Sequence, residues 1–250
     1  MNVRPEDTFR PPVSRVVIVP PYDPVASNDA TPQGRSRWNG LLPKERKCKR
    51  RSILIEAAFV LLAAEGMAGT TVRAVCARAR LNPRYFYESF SDLDDLLVSL
   101  YDDVYCQLRR RTDDALAGAQ DEDVALRASV DATVRFIAED RRRGCVLYSA
   151  GLGNEALNVR RTETGMALVD LVQRDRSGRD GEAHDEHIGR LGAAVTVGGF
   201  SELLVAWLDG RVELSVEELI DDATEVFLAV WHATCRLQRL VKHDQARVTS

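Results

Sequence analysis

Proline is nearly missing from most of this chain: eight of its nine prolines precede Lys44, and only Pro83 comes later. Without proline to break them, long helices are free to form. Convincing period-two alternation is also missing, which argues against sheets and leaves an all-α fold. Cysteine is sparse and scattered. The five residues Cys48, Cys76, Cys106, Cys145 and Cys235 are odd in number and show no CxxC spacing. That excludes a disulfide framework or a cysteine zinc site and fits a reducing cytoplasm. The first dozen residues lack the apolar core of a secretory signal. No G-x-S-x-G or Walker A pattern is present, so catalysis is not expected, nor is a cofactor. The most apolar run, LGAAVTVGGFSELLVAWL at 191–208, contains Glu202 and three glycines. It reads as a buried core helix rather than a membrane span, and no membrane partner is expected.

Aromatic residues make up only 6% of the chain, yet LNPRYFYESF at 81–90 holds four of them. A charge asymmetry sits beside that cluster. Residues 1–90 hold 15 Lys and Arg against 8 Asp and Glu, and the remainder holds 19 against 30. A front of +7 and a back of −11 point to an anionic partner for the front alone.

Residues 1–43, rich in proline, read as a flexible arm in which RVVIV (15–19) is the one candidate for order. The arm runs into KERKCKRR (44–51), six basic residues in eight. Apolar positions then repeat at helical spacing from Ile53 to Ala64, and Gly66 and Gly69 end this first helix. Thr70 is placed to cap a second helix, with Val72, Val75, Cys76 and Ala79 as its apolar face. Asn82 and Pro83 open a third. Ser91, with Asp94 three residues on, opens a fourth and longer one. Further helices are expected near 92–118, 122–140, 144–151, 154–175, 186–209 and 215–240, with a charged loop at 174–185.

Three short helices in about 45 residues describe a helix-turn-helix module. At 100° per residue, Phe86 and Phe90 share one face of the third helix, and Arg84, Tyr85 and Glu88 lie opposite, with Tyr87 on the flank. Chemistry assigns provisional roles for a double-stranded DNA operator. Arg84 suits guanine O6 and N7, Glu88 a cytosine amine, and Tyr85 a thymine methyl or a phosphate. Tyr87, Thr71 and Arg73 suit phosphate oxygens, with Asn82 at the start of the reading helix. Arg50 and Arg51, with Arg35 and Arg37 of the arm, would add salt-sensitive attraction.

Residues 53–102 resemble the N-terminal domain of the TetR family of bacterial transcriptional regulators. The resemblance is carried by the Ala-Ala-Phe of the first helix, the Glu-Gly that ends it and the Thr-Thr-Val opening the second. Phe86-Tyr87 followed by Phe90 and an acidic-leucine start to the fourth helix complete it. Three positions depart from the pattern: Arg80 stands where glycine is common, Leu93 where a lysine often holds phosphate, and Ser89 where histidine is frequent. The resemblance implies a homodimeric, ligand-responsive regulator, with a repressor as the expected form. Residues 44–92 would bind DNA, residues 93–242 would bind an unknown small-molecule ligand and dimerise, and 243–250 would be a tail. Tyr101, Tyr105, Phe136, Tyr148 and Trp207 are aromatic candidates for the pocket. Gly198, Gly199, Phe227 and Val230 are candidates for a four-helix dimer interface, in a region whose small residues allow close helix approach.

Two weaker patterns read differently. GLGNEA (151–156) fits a relaxed dinucleotide motif but lacks a βαβ setting, so it is expected to be a break between helices. His184 and His187 in HDEH read as a polar helix start, with no metal site expected. The alternative to a DNA-binding regulator is a helical ligand-binding or protein-interaction module whose DNA-reading surface has decayed.

Overall fold

The computed structural model describes residues 43–149, 153–180 and 186–248. The arm, with RVVIV, Arg35 and Arg37, lies outside the described residues, as does His184. Among the described residues there is no strand. The described residues form nine α-helices: α1 (Pro43–Gly69), α2 (Val72–Ala79), α3 (Pro83–Tyr87), α4 (Leu93–Leu116), α5 (Glu122–Glu139), α6 (Arg141–Gly144), α7 (Glu155–Asp180), α8 (Glu186–Leu208) and α9 (Val216–Val248). A five-residue π-helical segment, Cys145–Ser149, continues α6.

Burial follows the helical repeat. On α1 the buried Leu54, Ala57, Ala58, Leu61 and Leu62 form an i, i+3, i+4, i+7, i+8 stripe, with Phe59 buried beside it. They meet Val75 and Cys76 of α2, and Phe86 and Phe90 behind α3. Leu96, Leu97 and Leu100 of α4 close this small core from below, and Val104 and Leu108 carry it into the larger one. Thus α4 belongs to both halves. The larger half packs α5 against α4 and α9, and α7 against α8.

Local chemistry sets the boundaries, one residue later than expected in two places. Thr70 is buried and donates its hydroxyl to the Gly66 carbonyl at 2.8 Å, so it cannot cap α2. Thr71 does so instead, its Oγ1 accepting from the Ala74 amide at 3.1 Å. In the same way Asp92, not Ser91, caps α4 by accepting from the Asp95 amide at 2.8 Å. Asp95 reaches back to accept from the amide of Ser91, the residue before the cap, at 3.0 Å. Gly66 breaks α1 as expected, with φ 65° and ψ −167°.

The region expected as one helix at 144–151 is the single turn α6 followed by the π segment. Asp140 caps it, and Arg141 donates to the Leu208 carbonyl at 2.9 Å, satisfying the end of α8. Gly144 lets α8 come close, and a Cβ there would lie 2.6 Å from Leu208 Cδ1 and displace that side chain. The loop expected at 174–185 is helical as far as Asp180, with 181–185 outside the described residues. Gly178 alone disfavours helix there, at a cost of about 1 kcal/mol, and no proline intervenes. Of GLGNEA, the described part is a helix start: Asn154 Oδ1 accepts from the Leu157 amide at 2.9 Å.

Helix α8 departs from the buried core helix that its composition implies. Leu191 and Val195 are more than half exposed, and Ala194 and Gly198 are open as well. By length and composition α1 and α8 could each cross a membrane, although charged residues begin α1 and α8 packs along α7 and α9.

Candidate nucleic-acid interface and ligand cavity

The turn between α2 and α3 is held by backbone bonds. Arg80 ends α2 with φ 54° and ψ 42°, and the Leu81 amide donates to the Cys76 carbonyl at 3.0 Å. This is the left-handed end that usually selects glycine. Asn82 then caps α3, its Oδ1 accepting from the Arg84 amide at 2.9 Å, and Pro83 occupies the first helical position. Phe86 is fully buried and lies 5.7 Å, centroid to centroid, from Phe90. Those two rings fix which side of α3 faces out.

Arg84, Tyr85, Tyr87 and Glu88 are on the outer side, as expected. The Arg84 side chain is 83% exposed. Its Nε donates to Glu88 Oε1 at 3.2 Å, one turn along, and its two terminal nitrogens make no hydrogen bond among the described residues. Arg50 reaches the other Glu88 oxygen at 3.4 Å, and its guanidinium lies 4.5 Å from the centre of the Tyr85 ring. Glu88 is therefore engaged twice over within the chain. It organises two arginines, a use different from the cytosine acceptor suggested by its face alone.

Arg51 departs further from expectation. It donates to Ser99 Oγ at 2.7 Å and to the Ser89 carbonyl at 3.2 Å, with its guanidinium 4.3 Å from the Phe90 ring centre. It ties α1 to the end of α3 and to α4. Arg50 is also largely covered, its side chain 17% exposed. The open cations near α2 and the start of α1 are Arg73, Arg78, Arg80, Lys44 and Lys47. Arg73 is the one of these that the second-helix start marks as a phosphate contact. The basic run signals the lysines, but which of its members turn inward depends on packing against Phe90 and Tyr85.

A second feature lies in the larger half, where α4, α5, α7, α8, α9 and the π segment enclose a cavity of about 320 Å³. Tyr105 and Tyr148 line it, as expected. Tyr101, Phe136 and Trp207 do not. The Tyr101 ring stacks on Tyr105 at 6.2 Å, behind the wall. The Phe136 face is covered by the Arg143 guanidinium at 4.3 Å. Trp207 is core, its indole N–H donating to the Leu214 carbonyl at 2.9 Å. Phe227, expected at a dimer interface, instead lines the cavity, edge-on to Phe200 at 5.4 Å. Much of the remaining wall was legible as helical spacing: Tyr105, Leu108, Thr112 and Leu116 recur every three or four residues along α4. Burial raises the Tyr105 and Tyr148 hydroxyls above the usual phenol range, and Tyr101 is pushed up to about 12 for the same reason. All three stay neutral at physiological pH.

No group of three or more metal-ligating side chains occurs among the described residues.

The sequence model describing bacterial regulatory proteins of the tetR family matches residues 54–100, the span from α1 into α4 that carries this helix-turn-helix. Residues 54–100 are a tetR-family domain. Solved structures agree in fold. The fatty acid degradation regulator FadR from Bacillus halodurans is 18% identical, covers 72% of this chain and 94% of its own, and superposes with a TM-score of 0.61. A TetR-like transcriptional regulator from Rhodococcus sp. RHA1 is 16% identical, covers 74% and 96%, and has a TM-score of 0.58. FadR from Bacillus subtilis, solved in complex with stearoyl-CoA, is 17% identical, covers 70% and 96%, and has a TM-score of 0.57.

Within this TetR-family domain the unusual Arg80 adopts the left-handed backbone that glycine would take freely, so the turn is kept and the side chain is an added cation. Leu93 is half-buried against the core.

Proposed function

We propose that this chain is a homodimeric, ligand-responsive repressor that binds a near-palindromic DNA operator in the cytoplasm and releases it when a small molecule fills the α4–α9 cavity. Residues 44–92 form the DNA-binding unit and 93–242 the effector and dimer unit, flanked by the arm 1–43 and the tail 243–250. The observation that carries this reading is Arg84, held by Glu88 at the front of a reading helix with its terminal nitrogens free. Arg84 takes a guanine edge in the major groove, Tyr85 and Tyr87 lie beside it, and Asn82 starts the helix. Thr71, Arg73 and Arg80, with Lys44 and Lys47, meet phosphates.

Dimerisation is supported by apolar side chains that α8 and α9 leave uncovered. Leu191 and Val195 on α8, with Gly198, and Val226, Leu237 and Leu240 on α9 are all open. Two such helix pairs related by a twofold axis bury these faces as a four-helix bundle. Gly199 and Val230 sit at its margin. The effector is largely apolar, as the cavity wall is, and Bacillus subtilis FadR, solved in complex with stearoyl-CoA, gives one precedent for a molecule with a long acyl chain bound to this fold. Effector and operator oppose each other by the same factor, as linkage requires.

Fluorescence anisotropy on the DNA upstream of its own gene, at several salt concentrations, tests the reading. Sequence-specific binding that weakens steeply with salt is expected, and Arg84→Ala removes about 1–3 kcal/mol at one base position. Binding without sequence preference, or unaffected by Arg84→Ala, would sink it.

A further inference from the structure

Hydrogen-bond donors are scarce in the cavity wall and gathered in one part of it. Five hydroxyl side chains line the space: Thr112, Ser129, Thr133, Thr196 and Ser201. Each donates its hydrogen to the carbonyl four residues earlier in its own helix, at 2.8–3.0 Å. With the hydrogen committed, each hydroxyl has only lone pairs to offer a ligand. The Trp231 indole N–H is committed too, donating to Glu122 Oε2 at 2.9 Å. The side-chain donors left over are the phenols of Tyr105 and Tyr148 and the guanidinium of Arg109. Neither phenol makes a hydrogen bond among the described residues, whereas Tyr101, behind the wall, has Thr164 as its partner.

These three groups lie together. Tyr105 and Arg109 are one turn apart on the same face of α4, and Tyr148 comes in from the π segment within electrostatic reach of Tyr105. Arg109 is the wall's one cation. Its Nε lies 3.5 Å from Asp113 Oδ2, and its two terminal nitrogens make no hydrogen bond among the described residues. Its side chain is 22% exposed, so the charge is largely withdrawn from bulk water. Glu122, the wall's other acid, lies beyond Leu116, which is about 16 Å along α4 from Tyr105. Burial keeps both phenols protonated at neutral pH, so each has a hydrogen to give. Two phenols and a forked cation with nothing to donate to form a receptor for an acceptor-only group. A carboxylate satisfies all three, because it offers about four lone-pair sites and the matching charge. An ammonium group there would face donors and a like charge. A coenzyme A thioester would leave Arg109 without a countercharge and bring phosphates for which the wall holds no second cation.

We propose that the cavity takes a free carboxylic acid with an apolar body, its carboxylate received by Arg109, Tyr105 and Tyr148 where α4 meets the π segment. This rests on the reading of the cavity as the effector site and gives that effector a head group and a sign: the free acid anion rather than an amine or a thioester.

The full-length protein without DNA is titrated with Nile red, a neutral apolar dye, to report an occupied cavity. The dye is then displaced at pH 7 with decanoate, decylamine or decanoyl-CoA, each kept below its micelle concentration. The three carry chains of nearly equal length, so differences read the head group. Decanoate is expected to displace at a concentration about tenfold lower than either of the others. Arg109→Gln, which keeps a donor and removes the charge, is expected to abolish that preference. Tyr148→Phe, which deletes one hydroxyl, is expected to raise the decanoate concentration about fivefold and leave that of decylamine where it was. Decylamine or decanoyl-CoA displacing as well as decanoate would overturn the proposal and leave the effector site standing. An unchanged preference in Arg109→Gln would overturn it equally. Dye that the wild-type chain fails to take up, or that none of the three displaces, would instead overturn the effector site itself, and the acid with it. Should Arg109→Gln lose its helical circular dichroism, Tyr148→Phe decides, and a decanoate concentration unchanged in that variant would overturn the proposal.

Discussion

Arg80→Gly should stabilise this protein, although it removes a side chain. Arg80 is the one non-glycine residue with positive φ among the described residues, at φ 54° and ψ 42°. A Cβ in that conformation is crowded by the following carbonyl, costing about 1–2 kcal/mol that glycine does not incur. Glycine also loosens the unfolded chain, which returns about 0.4–1 kcal/mol of that gain. The backbone bonds of the turn, Arg80 amide to Ala77 carbonyl at 3.2 Å and Leu81 amide to Cys76 carbonyl at 3.0 Å, are available to either residue. The Arg80 side chain is exposed, so its loss uncovers little. The balance is a gain of about 0.5–1 kcal/mol, or a rise of about 1–4 °C in melting temperature for a chain of this size. Urea titrations of wild type, Arg80→Gly and Arg80→Ala would read it, because alanine removes the side chain and keeps the Cβ. Glycine must exceed alanine by more than about 0.5 kcal/mol. Equal stabilities would refute strain at this turn, and a destabilised glycine variant would mean that the arginine contributes more than it costs. Operator affinity of the same proteins separates the second role. If Arg80 meets a phosphate, both variants weaken binding uniformly across sequences and lower the salt slope by about one.

Three further outcomes are expected. Phe86→Ala empties the centre of the small core at a cost of about 3–5 kcal/mol, and should melt α2 and α3 ahead of the larger half; a single unshifted transition in calorimetry would contradict this. Leu237→Glu puts a charge on the open α9 face and should shift the protein from dimer to monomer in sedimentation, without loss of helicity, whereas an unchanged mass would remove α9 from the interface. The hydrogen bonds from Arg142 hold the Asp140 carboxyl below its usual range, and those from Arg111 do the same for Glu139. Carboxyls depressed by folding contribute fully above about pH 4 and lose that contribution as pH falls through their folded values. Denaturant midpoints should therefore fall below about pH 4, less steeply in Asp140→Asn, and salt should blunt the exposed Glu139 part first.

Much of the helix-turn-helix was determined by sequence alone, because its signals are local. Asn82 and Pro83 fix where α3 starts whatever surrounds them, and the four-residue spacing of Phe86 and Phe90 fixes its inner face. The left-handed turn at Arg80 was foreseeable as the cost of replacing glycine there. The all-α class followed just as directly from helical periodicity and the near-absence of proline. Capping was legible only to within one residue: two adjacent candidates, Thr70 and Thr71, are alike in propensity, and the one that packing buries cannot cap.

Only tertiary structure decided which partners the long side chains take. Arg50, Arg51 and Glu88 read as a surface facing DNA, yet Glu88 gathers two arginines and Arg51 spans to Ser99, 48 residues away. The helix face carrying Phe227 and Val230 read as a dimer interface. Folding divides it, sending Phe227 into the cavity against Phe200 and leaving Val226 open. Gly192, one of the small residues expected to admit close helix approach, serves Thr234 of the same chain, where a Cβ would lie 2.4 Å from the hydroxyl. The physical reason is common to these cases. Periodicity determines the angle at which a side chain leaves its helix, whereas its neighbour is set by how helices distant in sequence cross.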